Sequence, residues 1–379
     1  MSRRATRHWI DAAVERLPVL RDAYWRNSAR IKKAWCLLLH RAGLLKPSAF
    51  VLWIATYRCN FHCPFCEAGA GEAGSRELTT AEVESLLVDL GRMGARRLLI
   101  SGGEPAMRHD LPALLAIAAR LSIQPGLISN SSLIEDRWHE LRPFKYFLYM
   151  TSVDGLPDQH DGVRGKGSYE RALRALALFA GIGVRTRVVN TLVHKGNLAQ
   201  LPELAARLAA SAATDWYLTP AMNLGRARGH AVYQMSGDEL KAMLEFVRSW
   251  RERDGLRPEL GHASAYLGWL TGDCGGRPSF CGAGLTRCAV MPNGDVLPCG
   301  QAYDAARPEG NIRDRPLSEI WQRGFRSFRR FEQPPACRGC PHWSACQGGC
   351  WADRASRGSC LRDVWTGIPG HDHRGTEDH

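Results

Sequence analysis

Three cysteines near residue 60 have the spacing of a metal or cluster site. They are Cys59, Cys63 and Cys66, in the pattern C-x3-C-x2-C, and they follow a short apolar run at 50–55. A four-iron cubane is normally held by four cysteine thiolates. A compact group of three therefore predicts a cluster in which one iron stays open for another ligand, such as a cofactor.

A glycine-rich segment with one carboxylate follows the second apolar run. Residues 101–105 read Ser-Gly-Gly-Glu-Pro. Paired glycines let the backbone approach another group closely, and Glu104 supplies an acceptor for an ammonium ion. Because catalytic groups of parallel barrels lie at the carboxyl ends of the strands, we expect Glu104 near the three cysteines.

A second group of cysteines lies in the C-terminal quarter of the chain. Its centre is a run with the pattern C-x2-C-x5-C-x3-C, and the Asn-Gly-Asp sequence at 293–295 predicts a hairpin turn before it. Such C-x2-C groups also build zinc ribbons, so a zinc-stabilised module is the alternative to iron–sulfur clusters. The cysteines in question are Cys281, Cys288, Cys299, Cys337, Cys340, Cys346, Cys350 and Cys360.

The composition excludes several classes of protein. The chain has 379 residues and 13 cysteines, most of them in the two dense groups. This odd number does not suit a secreted disulfide framework, so the reduced cytoplasm is the expected compartment. No apolar run reaches membrane-spanning length. The net charge of +12 is scattered along the chain and partly offset by cluster thiolates, so we do not expect nucleic acid as a partner.

The residues between the two cysteine groups alternate between strand and helix patterns. Thr79 followed by Glu82 is a capping box that opens the first helix. Six strand–helix units predict a parallel sheet that curves into a partial (β/α)6 TIM barrel. The predicted strands lie near 50–56, 96–101, 126–130, 146–153, 184–192 and 215–219, and the helices near 79–93, 109–121, 135–141, 168–181, 198–211 and 238–253.

The expected fold class is α/β, with a small Cys-rich C-terminal domain and a helical N-terminal extension beside the partial barrel. The extension either packs on the main domain or receives a partner. The predicted divisions are a helical extension at 1–48, the barrel core at 49–235, a connecting helical segment at 236–273, the Cys-rich domain at 274–362 and a disordered tail at 363–379.

The first cysteine motif and the Gly-Gly-Glu-Pro segment resemble those of radical S-adenosylmethionine (radical SAM) enzymes. This resemblance implies that SAM fills the open position of the cluster and that Gly102, Gly103 and Glu104 hold its amino group. Phe65 occupies the position that contacts adenine. The remaining residues implied at the SAM ribose and carboxylate are Asn130, Ser152 and Arg164; Ser131 stands where relatives often carry a glycine.

The C-terminal pattern resembles the SPASM extension of radical SAM enzymes, which holds auxiliary 4Fe-4S clusters. By this resemblance one cluster uses Cys281, Cys299 and Cys350, and the other uses Cys337, Cys340, Cys346 and Cys360. The fourth ligand of the first cluster stays open between Cys288, which is nearest by pattern, Cys274, and an open iron. Gly300 stands where sulfatase-maturing relatives carry an aspartate, which argues against formylglycine formation.

The resemblance implies an oxidoreductase that cleaves SAM to a 5′-deoxyadenosyl radical and oxidatively modifies a substrate. The expected substrate is a ribosomally made peptide, which would be cross-linked or epimerised. The alternative is an enzyme of small-molecule or tetrapyrrole metabolism. A different class, a non-catalytic electron carrier or zinc scaffold, would not need Glu104 or an open iron. Expected partners are a flavodoxin- or ferredoxin-like electron donor and a separate peptide-recognition protein.

Overall fold

The structure is a computed structural model. It describes residues 18–44, 51–71, 76–250, 253, 255–261, 280–301, 307–330, 332–352 and 354. Cys274, Cys360 and the predicted tail at 363–379 lie outside the described residues, as do the ends of several predicted segments. No helix of the described part of the chain is both long and apolar enough to cross a membrane.

A parallel sheet lies at the centre of the chain, as the alternating pattern predicts. Its first six strands are ordered as they occur in the sequence, and every neighbouring pair is parallel. These strands are β1 (Val51–Ile54), β2 (Arg97–Ser101), β3 (Gln124–Ile128), β4 (Leu148–Ser152), β5 (Arg187–Val193) and β6 (Asp215–Pro220). All six carboxyl ends therefore open on the same side of the sheet.

Helices connect these strands at the predicted places. The capping box is confirmed, since the Thr79 side chain accepts a hydrogen bond from Glu82 N and the Glu82 side chain accepts one from Thr79 N. The helices are α1 (Pro18–Arg41), α2 (Thr80–Arg92), α3 (Leu111–Arg120), α4 (Trp138–Leu141), α5 (Pro157–Arg164), α6 (Ser168–Gly181), α7 (Leu201–Ala209), α8 (Gly237–Trp250), α9 (Leu317–Arg323) and α10 (Trp343–Cys346). The short helices α5, α9 and α10 are additions to the predicted set.

Four short strands extend the sheet beyond the predicted six. At one edge β7 (Pro258–Leu260) pairs parallel with β6. At the other edge β8 (Ala289–Val290) pairs parallel with β1, and β9 (Asp295–Leu297) and β10 (Gly310–Asn311) continue antiparallel. The predicted turn joins β8 to β9, with Gly294 at φ +89°. Strands of two or three residues carry too little periodicity to be recognised in the sequence.

The C-terminal module is thus bound to the barrel through the β1 edge and also through α2. The Nε atom of Arg313 lies 2.6 Å from the Glu82 carboxylate, and this guanidinium lowers the pKa of Glu82 to about 2. The buried carboxylate of Asp89 accepts two hydrogen bonds of 2.8 Å from Ser318, at the start of α9. The strands that lie between Cys288 and Cys299 are therefore fixed against the edge of the barrel sheet.

An aromatic cluster fills the space between β4 and the helices packed on the sheet. The ring of Phe179 in α6 is fully buried and stacks on Tyr149 with centroids 3.9 Å apart. Trp138 and Tyr146 meet the same ring edge-on, at 5.2 and 5.1 Å. Phe179 therefore joins a strand of the sheet to the helical layer outside it.

We expect Phe179→Ala to lower the free energy of unfolding by about 3–5 kcal/mol, because three aromatic neighbours would line the cavity. Urea unfolding curves would measure the loss. Ile182→Ala, one residue beyond the same helix and 37% exposed, is the matched control and should change the value by at most about 0.5 kcal/mol. Equal effects of the two changes would contradict this account of the core.

Candidate cluster and cofactor site

The three clustered cysteines lie on one loop that its own backbone closes. Gly71 N donates to Tyr57 O at 3.0 Å, and Cys59 N donates to Gly71 O at 2.9 Å. Within the loop, Cys66 N donates to Cys63 O at 3.2 Å, and Phe61 N points at the Cys59 sulfur at 3.4 Å. The loop follows β1 directly and therefore presents its thiols at the carboxyl edge of the sheet.

The thiols of this loop affect one another electrostatically. Burial raises the pKa of Cys59, and the charges of Glu104, Cys63 and Cys66 raise it further. Burial also raises the pKa of Cys63, against which Arg164 and Arg226 act. The negative charge of three partly buried thiolates is stabilised when they bind a cationic group. A thiol that coordinates such a group is deprotonated. The donor set fits an iron–sulfur cluster, whose binding here would release protons.

The two glycines join Glu104 to the cysteine loop. Gly103 N donates to Thr56 O at 2.8 Å, and Glu104 N donates to Arg58 O at 2.7 Å. A Cβ atom at Gly103 would lie 2.1 Å from Arg58 O, so only glycine allows this contact. The backbone itself therefore sets the position of the Glu104 side chain relative to Cys59.

The Glu104 carboxylate is fully buried and has neutral partners. It accepts hydrogen bonds from Ala106 N at 2.9 Å, from Ser129 Oγ at 2.9 Å and from Asn130 N at 2.7 Å. Burial raises the pKa of Glu104 to about 7, although these three hydrogen bonds act in the opposite direction. A buried carboxylate is best stabilised by a cation, and the ammonium group of a ligand would supply one.

Ser131 adopts the backbone conformation that a glycine would adopt most easily. Its φ is +70°, a left-handed value that costs a serine on the order of 1–2 kcal/mol. Its Oγ lies 2.7 Å from both Tyr149 OH and Thr151 Oγ1, and its N donates to Ser129 Oγ. These hydrogen bonds offset the strain, so the turn that carries Asn130 keeps its shape without the glycine.

Asn130 lies between the two predicted motifs. Its backbone N–H binds Glu104, while its Nδ2 donates to Asn60 Oδ1 at 3.1 Å and lies 3.7 Å from the Cys59 sulfur. Ser152 ends β4, half-buried, and pairs in register with Asn190 of β5. Both residues are thus at the carboxyl edge that also carries the cysteine loop.

Arg164 and Phe65 lie against each other on the far side of the loop. The Arg164 guanidinium is 5.6 Å from the centroid of the buried Phe65 ring. Its Nε donates to Asp154 Oδ2 at 2.5 Å, while Asp154 Oδ1 accepts from Leu192 N at 2.9 Å. This ion pair fixes the end of α5 beside Cys63. The aromatic ring and the cation therefore border the same space as the thiols.

Arg226 binds the cysteine loop, a contact that the sequence did not reveal. Its Nε donates to Cys63 O at 2.7 Å, its Nη1 donates to Ala70 O at 2.6 Å, and its backbone N donates to Cys66 O at 3.0 Å. The preceding Gly225, at φ +53°, has no room for a side chain, since a Cβ would lie 2.2 Å from Cys66 O. The only sequence signal was the Gly-Arg pair after β6.

In the C-terminal module the structure brings Cys281 and Cys299 together. Burial raises the pKa of Cys299, and the neighbouring Cys281 thiolate raises it further. Gln301 donates a backbone hydrogen bond to Cys299, and its side chain binds the carboxylate of Glu67. Burial raises the pKa of Glu67 to about 7. Because Glu67 follows Cys66 directly, this chain of contacts links the first cysteine loop to the second group.

Cys288 lies in a different environment from that pair. Its side chain is part of the main hydrophobic core, where burial raises the pKa of the thiol to about 12 and the Arg329 guanidinium acts in the opposite direction. Its carbonyl accepts a hydrogen bond from Leu52 N of β1. Cys288 was one of three options for the fourth ligand of the first auxiliary cluster. Its position in the hydrophobic core does not by itself support that option over the other two.

The four-cysteine run folds into consecutive tight turns around α10. Cys340 N donates to Cys337 O at 3.1 Å, and Cys346 N donates to His342 O at 2.8 Å. Gln347 ends the short helix with φ +50°. Cys350 follows these turns and directly precedes residues 351–352, which are again helical. These turns place all four cysteines of the run within one short segment of compact backbone.

Comparison with known proteins assigns the family. Residues 53–208 match the model of the radical SAM superfamily, and residues 281–341 match the SPASM model, described as an iron–sulfur cluster-binding domain. The chain therefore belongs to the radical SAM superfamily and carries a SPASM domain, which makes it an enzyme and gives it 4Fe-4S clusters and S-adenosylmethionine as cofactors. This decides against the zinc scaffold and the non-catalytic carrier.

Among similar curated proteins is the mycofactocin maturase MftC of Mycolicibacterium smegmatis. It is 31% identical over 327 residues, which are 84% of this chain and 79% of that protein. The PqqA peptide cyclase of Streptomyces rochei is 33% identical over 315 residues, which are 78% of this chain and 82% of that protein.

The solved structures confirm the fold. SuiB of Streptococcus suis bound to S-adenosylmethionine matches with a TM-score of 0.66 at 20% identity, over 83% of this chain and 75% of that one. The enzyme anSMEcpe with bound AdoMet and a Cp18Cys peptide matches with a TM-score of 0.65 at 19% identity, over 84% of this chain and 96% of that one.

We expect Arg226→Gln to weaken retention of the first cluster about 10- to 100-fold, because residues that orient metal ligands have effects of this size. Retention is measured as the rate at which iron passes from the protein to a chelator. The SAM-dependent electron paramagnetic resonance (EPR) signal is followed in parallel to identify the first cluster. Arg228→Gln, at an exposed position of the same turn, is the control. Equal iron release by both variants would contradict a role for Arg226 in holding the loop.

Proposed function

We propose that this enzyme cleaves S-adenosylmethionine reductively and modifies a ribosomally made peptide oxidatively. The observation that carries the proposal is the joint placement of the cysteine loop and Glu104 at the carboxyl edge of the sheet, with Cys299 linked to the same loop through Gln301 and Glu67. When bound, the cluster and SAM supply a 5′-deoxyadenosyl radical that removes hydrogen from an unactivated C–H bond.

The residues of this edge would bind SAM by complementary charge and shape. Cys59, Cys63 and Cys66 hold the cluster, and the buried Glu104 carboxylate accepts the SAM ammonium group. Burial strengthens this ion pair because the surrounding dielectric is low. The residues proposed to contact the rest of SAM are Phe65 at the adenine, Asn130 at the ribose, and Ser152 and Arg164 at the ribose and carboxylate.

The C-terminal module is proposed to hold two auxiliary clusters. Cys281, Cys299 and Cys350 bind the first, and Cys337, Cys340, Cys346 and Cys360 bind the second. For the fourth iron of the first cluster three options stay open: Cys288 is its ligand, Cys274 is its ligand, or this iron has no cysteine ligand. Glu67 and Gln301 connect the two cysteine-rich regions, and the first auxiliary cluster, when bound, would supply an electron acceptor there.

A peptide substrate is supported by the names of the similar proteins, and the residue at position 300 bears on the kind of reaction. The names of the similar proteins identify one as a maturase and another as a cyclase of the peptide PqqA. Gly300 supports a reaction other than formylglycine formation, because it stands where sulfatase-maturing relatives carry an aspartate.

The proposed chemistry requires two partners. An external one-electron donor of the flavodoxin or ferredoxin type must reduce the cluster, and a separate protein is proposed to deliver the peptide. The many reduced cysteines support a cytoplasmic location, where thiols are kept from forming disulfides.

The triple variant Cys59→Ala, Cys63→Ala, Cys66→Ala tests the assignment of the first cluster. After anaerobic reconstitution with SAM and a reductant, we expect 5′-deoxyadenosine from the wild type and none above background from the variant. The variant should keep its auxiliary iron, because the C-terminal cysteines are unchanged. Formation of 5′-deoxyadenosine by the variant, or loss of all of its iron, would contradict the assignment.

Mass spectrometry of candidate precursor peptides after turnover tests the substrate class. A cross-link formed by loss of two hydrogens lowers the peptide mass by about 2 Da, and epimerisation in deuterated water adds one deuterium. The triple-alanine variant is the control and should leave the peptide unchanged. Consumption of a tetrapyrrole or another small molecule in place of peptide would overturn the peptide assignment while leaving SAM cleavage intact.

A further inference from the structure

A lysine of the N-terminal extension is buried against the C-terminal module. Lys33 lies in α1 and is only 9% exposed, although lysine is almost never fully buried without a partner. Its Nζ is 5.8 Å from the centroid of the Trp343 ring. Trp343 begins α10, between Cys340 and Cys346, and α1 packs directly on α10.

The same ammonium group also faces the other set of predicted cluster ligands. Burial lowers the pKa of Lys33, the Cys281 thiolate opposes this change, and the Arg354 guanidinium adds to it. The Cys281 thiolate therefore acts electrostatically on the Lys33 ammonium group. Lys33 thus lies at the border between the proposed ligands of the first auxiliary cluster and those of the second.

We propose that Lys33 is a positioning residue that raises the reduction potential of the auxiliary cluster bound by Cys281. The inference rests on the proposed function, because it requires that Cys281 bind a cluster. It extends that function by giving the N-terminal helix a part in electron transfer, where the sequence left packing or partner binding as its roles.

The physical basis is the charge that the cluster gains on reduction. A thiolate-bound cluster is anionic, and one added electron makes it more so. A fixed cation nearby stabilises the reduced form more than the oxidised form, and the effect is large where water is excluded. Charge and solvent exposure are two of the factors that set the potentials of iron–sulfur clusters. A permanent positive charge suffices, with no change in protonation.

The test is an EPR-monitored redox titration of the full chain in the triple-alanine background, where only auxiliary clusters contribute. At the potential that half-reduces the parent cluster, Lys33→Gln and Lys33→Met should lower the ratio of reduced to oxidised cluster at least tenfold. For a one-electron couple this equals a shift of about 59 mV to more negative potential. Lys33→Arg, which keeps the charge, should stay within about threefold of the parent.

Lys32→Gln is the matched control, since it removes one positive charge from the adjacent, half-buried position of the same helix. It should also stay within about threefold. An unchanged ratio in Lys33→Gln, or an equal fall in Lys32→Gln, would overturn the inference. A shift to more positive potential in Lys33→Gln and Lys33→Met would overturn the inference too. It would mean that the substitution displaces α1 and admits water, which stabilises the reduced cluster because this form carries the larger negative charge.

The outcome also separates this inference from the proposed function. Auxiliary clusters that are present in the triple-alanine background but do not respond to Lys33 would overturn the role of Lys33 alone. Absence of any 4Fe-4S signal in that background would overturn the auxiliary-cluster assignment and the role of Lys33 together, while 5′-deoxyadenosine formation by the wild type would still support the first cluster.

Discussion

The site depends on two backbone hydrogen bonds that join the cysteine loop to the segment after β2. Gly103 N and Glu104 N donate to the carbonyls of Thr56 and Arg58. Because these bonds involve the main chain, they fix the backbone of Glu104 relative to the start of the cysteine loop. The close approach excludes a side chain at Gly103, so the geometry of the cofactor site follows from the lack of one Cβ atom.

Around this junction, basic side chains lie close to several thiolates and carboxylates and partly neutralise their negative charge. Thiolates and buried carboxylates accumulate at the carboxyl edge of the sheet, where desolvation penalises each of them. Arg164 and Arg226 both act on Cys63, and the Lys33 ammonium group lies over the Trp343 ring between two further cysteines. Each cation comes from a different part of the chain. The charge balance of the cysteine-rich regions is therefore a property of the folded chain and not of either motif.

Much of the fold was predictable because its signals are local. The capping box at Thr79, the alternating strands and helices, and the turn at Gly294 depend on neighbouring residues, and all three are confirmed. The strand β7 and the pairing of the hairpin strand β8 with β1 escaped prediction, because both depend on contacts with distant strands. Likewise, the helix α4 covers only the last four residues of its predicted span 135–141, because helix ends are hard to read from sequence.

The sequence by itself determined which chemistry the chain supports, because cluster ligands and the residues that hold SAM occur in short segments of characteristic spacing. Tertiary structure alone decided what surrounds them. It placed Arg226 on the cysteine loop, Cys288 in the hydrophobic core and Lys33 over the Trp343 ring. The physical reason is range: ligand spacing is set within one loop, whereas burial and electrostatic neighbours arise only when distant segments pack together.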